Sequence, residues 1–296
     1  MKVLLTGAKG QLGQSIFKLK PEGVNLITPD KSLFDLSDCG TFDNFFSVNN
    51  PNWIINCGAY TNVDKAEIEK EKAMLVNAIA LKELSKVSLK YGTKILHLST
   101  DFVFNGNQNV AYCPNQTRAP LNFYGLTKAK GEEYLEDYLG YKDKAIILRT
   151  SWVMSSIGNN FATKMKKLMR DKKELNIVSD QIGCPTSVNT LGETCWKIFK
   201  NEERIFDLNK NKVPIFHFSD CGLASWYDVA IELRNIFIDL KMINNPAKIF
   251  PIESKLYSSL AKRPRFSLLN CELIRDILDL PYIHWKDSLR KIFYSE

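Results

Sequence analysis

Short apolar runs alternate with amphipathic stretches along the first half of the chain. "KVLLTG" (2–7) reads as a buried strand that ends in glycine, and "QLGQSIFKLK" (11–20) has helical spacing. "VNLITP" (24–29), "NWIINCGA" (52–59), "KILHLST" (94–100) and "AIILRTS" (145–151) read as further strands. One long helical stretch runs from 63 to 91, and another helix carries Tyr124. Strands alternating with helices predict an α/β, Rossmann-type, doubly wound parallel sheet over residues 1–151, covered on both faces. After Ser151 the pattern loosens. "DQIGCPTSV" (180–188) is turn-rich, "IFHFSD" (215–220) reads as a strand returning to the sheet, and Pro246, Pro251, Pro264 and Pro281 punctuate short helices. Residues 152–296 are therefore expected to form mainly a smaller C-terminal lobe.

Composition changes this picture little. Of 296 residues, 45% are apolar and 25% charged, as in ordinary soluble globular proteins. No apolar run approaches the roughly 18 residues of a membrane span, and the N-terminal run is too short for a signal peptide. The seven cysteines are widely spaced without a CxxC pair, which argues against a zinc site or a disulfide framework. Reduced thiols in a cytoplasmic protein are the simple reading. The net charge of +7 is dispersed apart from "TKMKKLMRDKK" (163–173). That cluster reads as a solvated helix face, and neither a nucleic-acid nor a membrane partner is expected.

The chemistry begins at "TGAKGQLG". Gly7, Gly10 and Gly13 sit between the first strand and the first helix, where a tight turn lets the backbone approach a pyrophosphate. The helix from Gln11 aims its free N–H groups at the same place. NAD(P) binding by the first domain follows. Asp30, just past the second strand, can accept hydrogen bonds from a ribose or can simply be the turn residue of "PDKS". Lys31 and Ser32 beside it suit a 2′-phosphate, so NADH and NADPH both remain open. By spacing alone, Tyr124 and Lys128 fit a core aromatic and a solvated helix lysine. The glycine loop, together with Thr100 at the end of a strand, turns that reading toward catalysis.

With these residues the chain resembles the extended short-chain dehydrogenases and, within them, the dTDP-4-dehydrorhamnose reductases. The resemblance covers nearly the full length. It rests on "TGAKGQLG" (6–13), "CGAYTNVDKAE" (57–67), "LSTDFVFNG" (98–106), "YGLTKAKGE" (124–132), "RTSWV" (149–153), "GNNF" (158–161), "DQIGCPT" (180–186), "SWYDVA" (225–230) and "KRPRFSLL" (262–269). It departs from the family at Phe102, Asn105 and Tyr60. The resemblance implies reduction of dTDP-4-dehydro-β-L-rhamnose to dTDP-L-rhamnose by NADPH or NADH, with the C-terminal lobe binding the sugar nucleotide. It implies that Tyr124 is the proton donor, Lys128 its partner and Thr100 the third catalytic residue. Asp101 and Trp152 fall on substrate contacts, and Gly10, Gln11 and Leu12 on the phosphate loop. Asp35 and Leu36 fall where the adenine is contacted. Ala59, Tyr60 and Thr61 fall in the cofactor-lining loop after the family's fourth strand. No metal is expected, since Gln14 stands where a magnesium-binding glutamate would; a homodimer is the candidate assembly.

These types suit ketone reduction, which needs a hydride at carbon and a proton at oxygen. Tyr124 and Lys128 share a helix face at i and i+4, and a nearby ammonium favours tyrosinate, so the Tyr124 pKa is expected to fall; the same ammonium can hold the nicotinamide ribose hydroxyls, which makes Tyr124 and Lys128 expected cofactor contacts as well. Thr100 is expected to donate to the developing oxyanion. A sugar can stack on the Trp152 indole, which could otherwise be core. Asp64 in "TNVD" reads as part of a capping box. His97, His217 and His284 share no ligand spacing and read as structural. A non-catalytic regulatory subunit, or a nucleotide-sugar epimerase or dehydratase, are the alternatives.

Overall fold

The computed structural model describes residues 1–210 and 212–294; positions 211, 295 and 296 of the expected C-terminal lobe lie outside them. Six strands form the main sheet: β1 (Lys2–Thr6), β2 (Asn25–Ile27), β3 (Trp53–Asn56), β4 (Lys94–Thr100), β5 (Ala145–Thr150) and β6 (Ile215–Phe218). Their spatial order is β6-β5-β4-β3-β1-β2 and every pairing is parallel. β1, β3, β4 and β5 are almost wholly buried because helices cover both faces, which is why they read as continuous apolar runs. Residues 28–38 form turns and no strand, so the cofactor-lining loop expected after a fourth strand follows the third of this chain.

One sheet face packs Leu12, Ile16, Leu191 and Ile198 against Leu5, Ile55 and Leu96. The other packs Leu81, Leu84, Leu135 and Leu139 against Leu4, Ile54 and Ile95. A separate core of Met165, Met169, Leu233, Phe237, Trp285 and Phe293 lies in the C-terminal half. There Glu174–Val178 pairs in parallel with Lys248–Ile252, a two-stranded sheet that the sequence pattern did not predict.

The long helix expected over 63–91 is broken. Helices Val63–Ala66 and Lys70–Met74 are followed by a five-residue π-helical turn, Leu75–Ile79, and then by the helix Ala80–Tyr91. No helix among the described residues is long and apolar enough to cross a membrane.

Candidate active site at the carboxyl ends of the strands

The glycine turn has three glycines with three different roles. Gly7 has φ +67°, and a Cβ there would lie 2.7 Å from the Gly58 nitrogen, so it needs both left-handed backbone and close approach. Gly13 is required by packing, not by a ligand: its Cβ would sit 2.2 Å from the Gly7 carbonyl oxygen. Gly10 precedes the helix Gln11–Lys18 in extended conformation, and no side chain caps that helix. Its leading N–H groups are thus free of side-chain acceptors, as phosphate binding requires. This cradle fits a dinucleotide pyrophosphate. Leu12 contributes only backbone, since its side chain is in the core. The Gln11 side chain turns away, accepting from Asn160 at 3.0 Å and Ser155 at 3.2 Å, and so ties the turn to the C-terminal half.

The separation of roles gives a clean test. A valine Cβ at Gly10 meets only the Gly7 carbonyl, at 3.1 Å. Gly10→Val should weaken NAD(P)H binding about tenfold or more with little loss of thermal stability, whereas Gly13→Val should unfold the turn. Unchanged affinity in folded Gly10→Val would remove the cradle assignment.

Asp30 is exposed and ion-paired with Lys9 from the glycine turn. Lys9 first by hydrogen bond and then by charge holds its carboxyl below the usual range. Asp35 accepts from the Ser37 N–H at 2.9 Å, and Leu36 is buried over Gly58. The backbone of Tyr60, between Ala59 and Thr61, is gripped at both ends by Asn77. Tyr60 N–H donates to Asn77 Oδ1 at 2.8 Å, and Asn77 Nδ2 donates to the Tyr60 carbonyl and to Thr127, both at 3.0 Å. The sequence assigned Asn77 no role. It sits in the π-helical turn, a feature often found at functional sites.

Tyr124 opens the helix Phe123–Leu139. Asn122 caps it by accepting from Gly125 N–H at 2.8 Å, and Glu67 accepts from Phe123 N–H at 2.7 Å. Gly125 lets the helix start press on the loop after β4, since a Cβ there would lie 2.2 Å from the Phe102 carbonyl. Tyr124 is thereby brought beside Thr100, whose hydroxyl lowers the Tyr124 pKa against the effect of burial. Thr100 accepts from Phe102 N–H at 3.2 Å and donates its proton to Asp101 Oδ1 at 3.0 Å. In this arrangement its proton rests on Asp101. Burial raises Asp101 to about 6, opposed by the hydroxyls of Ser267 and Thr100.

The expected fall in the Tyr124 pKa is corrected. Burial pushes Tyr124 up to about 12. Lys128 does not offset this, because its Nζ donates to the Leu98 carbonyl at 2.6 Å and lies 3.1 Å from His97 Nε2. Burial lowers Lys128 itself to about 8, with Glu132 acting the other way. His97 is thus part of the site, not a remote structural residue.

The sheet register explains this. Thr6, Asn56 and His97 are neighbours across β1, β3 and β4. One step along, Ser99, Arg149 and His217 are neighbours across β4, β5 and β6. The first row ends on Lys128. The second ends on Glu132, which accepts from Arg149 Nη2 at 2.6 Å, Arg118 Nε at 2.6 Å and Ser99. Glu132 is 0% exposed. Burial would raise its pKa, but the charge and hydrogen bonds of Arg149, with Arg118 and Ser99, hold it at about 2.

Two expectations about neighbouring residues change. Asn62, not Thr61, caps the helix Val63–Ala66, and Asp64 is no cap. Asp64 instead accepts from Arg263 Nη2 at 2.7 Å and Ala261 N–H at 3.1 Å, pinning a C-terminal strap beside the Tyr124 helix. Asn122 Nδ2 holds the same strap at the Lys262 carbonyl, 2.8 Å away. Trp152 has left-handed backbone, φ +46°, and lies parallel on Trp226 with centroids 3.7 Å apart. Gly183 also closes on the ring, since a Cβ there would lie 2.7 Å from Cε2. One indole face is therefore committed to Trp226 within the protein, and Gly183 crowds the six-membered ring.

An all-parallel sheet, an open phosphate cradle at the end of β1 and a buried phenol at the end of β4 define a Rossmann-type nicotinamide-dependent oxidoreductase. A family model, RmlD substrate binding domain, matches residues 1–295. The chain belongs to that family. It is 34% identical over 293 residues to the dTDP-4-dehydrorhamnose reductase of Aggregatibacter actinomycetemcomitans, covering 98% of each chain. It is 34% identical to that of Escherichia coli K12, covering 99% of this chain and 97% of the other. The crystal structure of the Bacillus anthracis dTDP-4-dehydrorhamnose reductase in complex with NADP matches with a TM-score of 0.89 at 30% identity, covering 100% of this chain and 99% of that one.

Proposed function

We propose that this protein reduces dTDP-4-dehydro-β-L-rhamnose to dTDP-L-rhamnose with NAD(P)H, in the biosynthesis of dTDP-rhamnose for cell-surface polysaccharide. The observation that carries the reading is the buried Tyr124 side chain set beside the buried Thr100 at the end of β4, on one helix with the buried Lys128. Relatives of this name at one third identity over nearly the whole chain support the substrate.

Bound NAD(P)H supplies the hydride to C4 of the sugar. The protein's part is binding, orientation and the proton. Gly7 and Gly10 admit the pyrophosphate to the free N–H groups at Gln11 and Leu12, while Gly13 seats the helix. Asp30, Asp35 and Leu36 border the adenosine end, and Ala59, Tyr60 and Thr61, fixed by Asn77, line the dinucleotide. Tyr124 gives its proton to the C4 oxygen, so the ketone becomes an alcohol as the nucleotide is oxidised. Lys128 stabilises the tyrosinate left behind. Asp101 orients Thr100, and Trp152 meets the sugar nucleotide. Residues 1–151, with β6, form the NAD(P)-binding domain and residues 152–296 mainly the substrate-binding lobe. The assembly we propose is a homodimer, in the cytoplasm.

The test is oxidation of NADH and of NADPH, followed at 340 nm, with dTDP-4-dehydro-6-deoxy-L-mannose beside related 4-keto sugars. Turnover is expected with this sugar. Pure, folded protein that oxidises neither nucleotide with it would sink the proposal and favour a non-catalytic subunit.

A further inference from the structure

The polar row beneath the cofactor loop is a continuous chain of hydrogen bonds, and its donors can be counted. Gly58 N–H donates to Thr6 Oγ1 at 3.1 Å, and Thr6 Oγ1 donates to Asn56 Oδ1 at 2.6 Å. The Asn56 Nδ2 group is left facing His97 Nδ1 at 3.0 Å, so Nδ1 accepts. A neutral imidazole then carries its proton on Nε2, which faces Lys128 Nζ at 3.1 Å. Two donors cannot share that contact. In this arrangement Lys128 is an amine that accepts from His97 and donates to the Leu98 carbonyl.

A charged Lys128 requires the whole row to reverse. The ammonium then donates to Nε2, and Nδ1–H donates to an Asn56 amide turned by half a rotation. Asn56 Nδ2 donates in turn to Thr6. All four groups of the row are buried or half-buried, so an unmatched pair of donors would go unrelieved by water.

We propose that His97 is a positioning residue whose hydrogen-bond direction, set through Asn56 and Thr6, decides the charge of Lys128, and that cofactor binding reverses the row with uptake of one proton at Lys128. The inference rests on the reading of Lys128 as the partner of Tyr124. The row begins at Gly58, in the loop that lines the dinucleotide, and ends at the amine that must become cationic to help Tyr124. Burial lowers Lys128 to about 8, so above that pH the amine prevails before cofactor binds. The negative charge and hydroxyl acceptors of a bound dinucleotide favour the ammonium. The other titratable groups around Lys128 are Cys57 from the loop after β3, and Tyr124 and Glu132 on its own helix; Asp101 reaches Tyr124 from the end of β4. Burial keeps Cys57 a neutral thiol, and Glu132 stays ionised in both states, so neither supplies the proton change.

The sign follows from linkage. A lysine whose pKa rises on binding takes up a proton only between its free and bound values. Titrating NADPH calorimetrically into the full-length protein in buffers of contrasting ionisation enthalpy counts that proton without any sugar. At about pH 8.5, just above the free Lys128 value of about 8, uptake of up to about three quarters of a proton is expected. Near pH 6.5 uptake at Lys128 should vanish, about 1.5 units below that value. Asn56→Asp decides the matter. A carboxylate only accepts, so it holds the His97 proton on Nδ1 and leaves Nε2 to receive the ammonium in both states. Uptake at about pH 8.5 should then disappear while NADPH still binds. Should Asn56→Asp fail to fold, His97→Leu, which removes the donor of the free state and the acceptor of the bound state, should shrink the uptake by bringing the free and bound values together. His97→Gln, whose amide can face either way, should restore it. Equal uptake in wild type and Asn56→Asp, or in His97→Leu and His97→Gln, overturns the proposal, as does an absence of uptake in wild type. Binding with uptake but no reduction of the sugar would instead overturn the proposed function and leave the row standing.

Discussion

Tyr124→Phe is expected to lower kcat by about 10²–10⁴-fold, the usual contribution of a positioned acid. The ring keeps its place: Tyr124 packs with Ala73 and meets Phe102 edge-on at 5.7 Å, contacts that phenylalanine retains. The loss is confined to the hydroxyl, so NAD(P)H affinity should stay within a few-fold of wild type. With Tyr124 pushed up to about 12, the phenol is protonated throughout the neutral range. It therefore waits as a donor, and on the proposed reading a charged Lys128 relieves its weakness as an acid. Stopped-flow measurement of the chemical step separates this from product release. A variant within about threefold of wild type in that step would show that the proton comes from another group.

The second large effect concerns the fold beneath the site. Arg149→Met should destabilise the protein by about 3–5 kcal/mol, the typical consequence of stripping one partner from a buried pair. Arg149 is 1% exposed and Glu132 0%, so water cannot take the place of the lost bonds. Denaturant unfolding and the fall in Tm, expected to be about 10 °C, check it. The pH dependence follows the same pair. The Glu132 pKa is held at about 2, below its ordinary 4.5. Its contribution is complete above the ordinary value and is lost as the pH falls toward about 2, on the order of 3 kcal/mol over that window. Arg149→Met should lose most of that acid-linked decrement. Replacing both partners by methionine and leucine should recover much of the stability, since a well-packed apolar pair is often no worse than a buried ion pair. A stability loss below about 1 kcal/mol for Arg149→Met would mean that Arg118 alone satisfies Glu132.

The strands and the glycine turn were legible because their signals are local. A parallel strand covered on both faces must be apolar throughout, and "KVLLT" and "AIIL" say so within a few residues. The register was not legible. Asn56, His97, Ser99 and Arg149 stand out as polar residues inside such strands, yet that they form two rows depends on which residues pair across the sheet. The same limit hid the Asp64–Arg263 contact, which joins residues about 200 positions apart, and made a local capping box the natural reading. The Trp152 stack on Trp226 and its left-handed backbone depend on contacts of that long-range kind. The spacing of Tyr124 and Lys128 correctly put them on one helix face. It could not show that His97 holds the Lys128 amine elsewhere.

The π-helical turn at Leu75–Ile79 makes the site sensitive to the count of residues as well as to their kind. An extra residue in one turn shifts the phase of a helix by about 100°. Here that shift sets Ala73 against Tyr124 and Leu81 against the sheet, and it pushes the Asn77 carbonyl to where a Cβ of residue 131 would lie, 2.3 Å away. Gly131 accommodates the bulge, and Asn77 is left reaching the Tyr60 backbone. A chain one residue shorter in this turn could keep every side chain named in the site and a regular helix as well, yet it would have rotated its grip away from the cofactor loop. Substitutions around Asn77 can be compensated by neighbours. A change of length cannot, so the spacing between Ala73 and Leu81 is itself part of what this active site specifies.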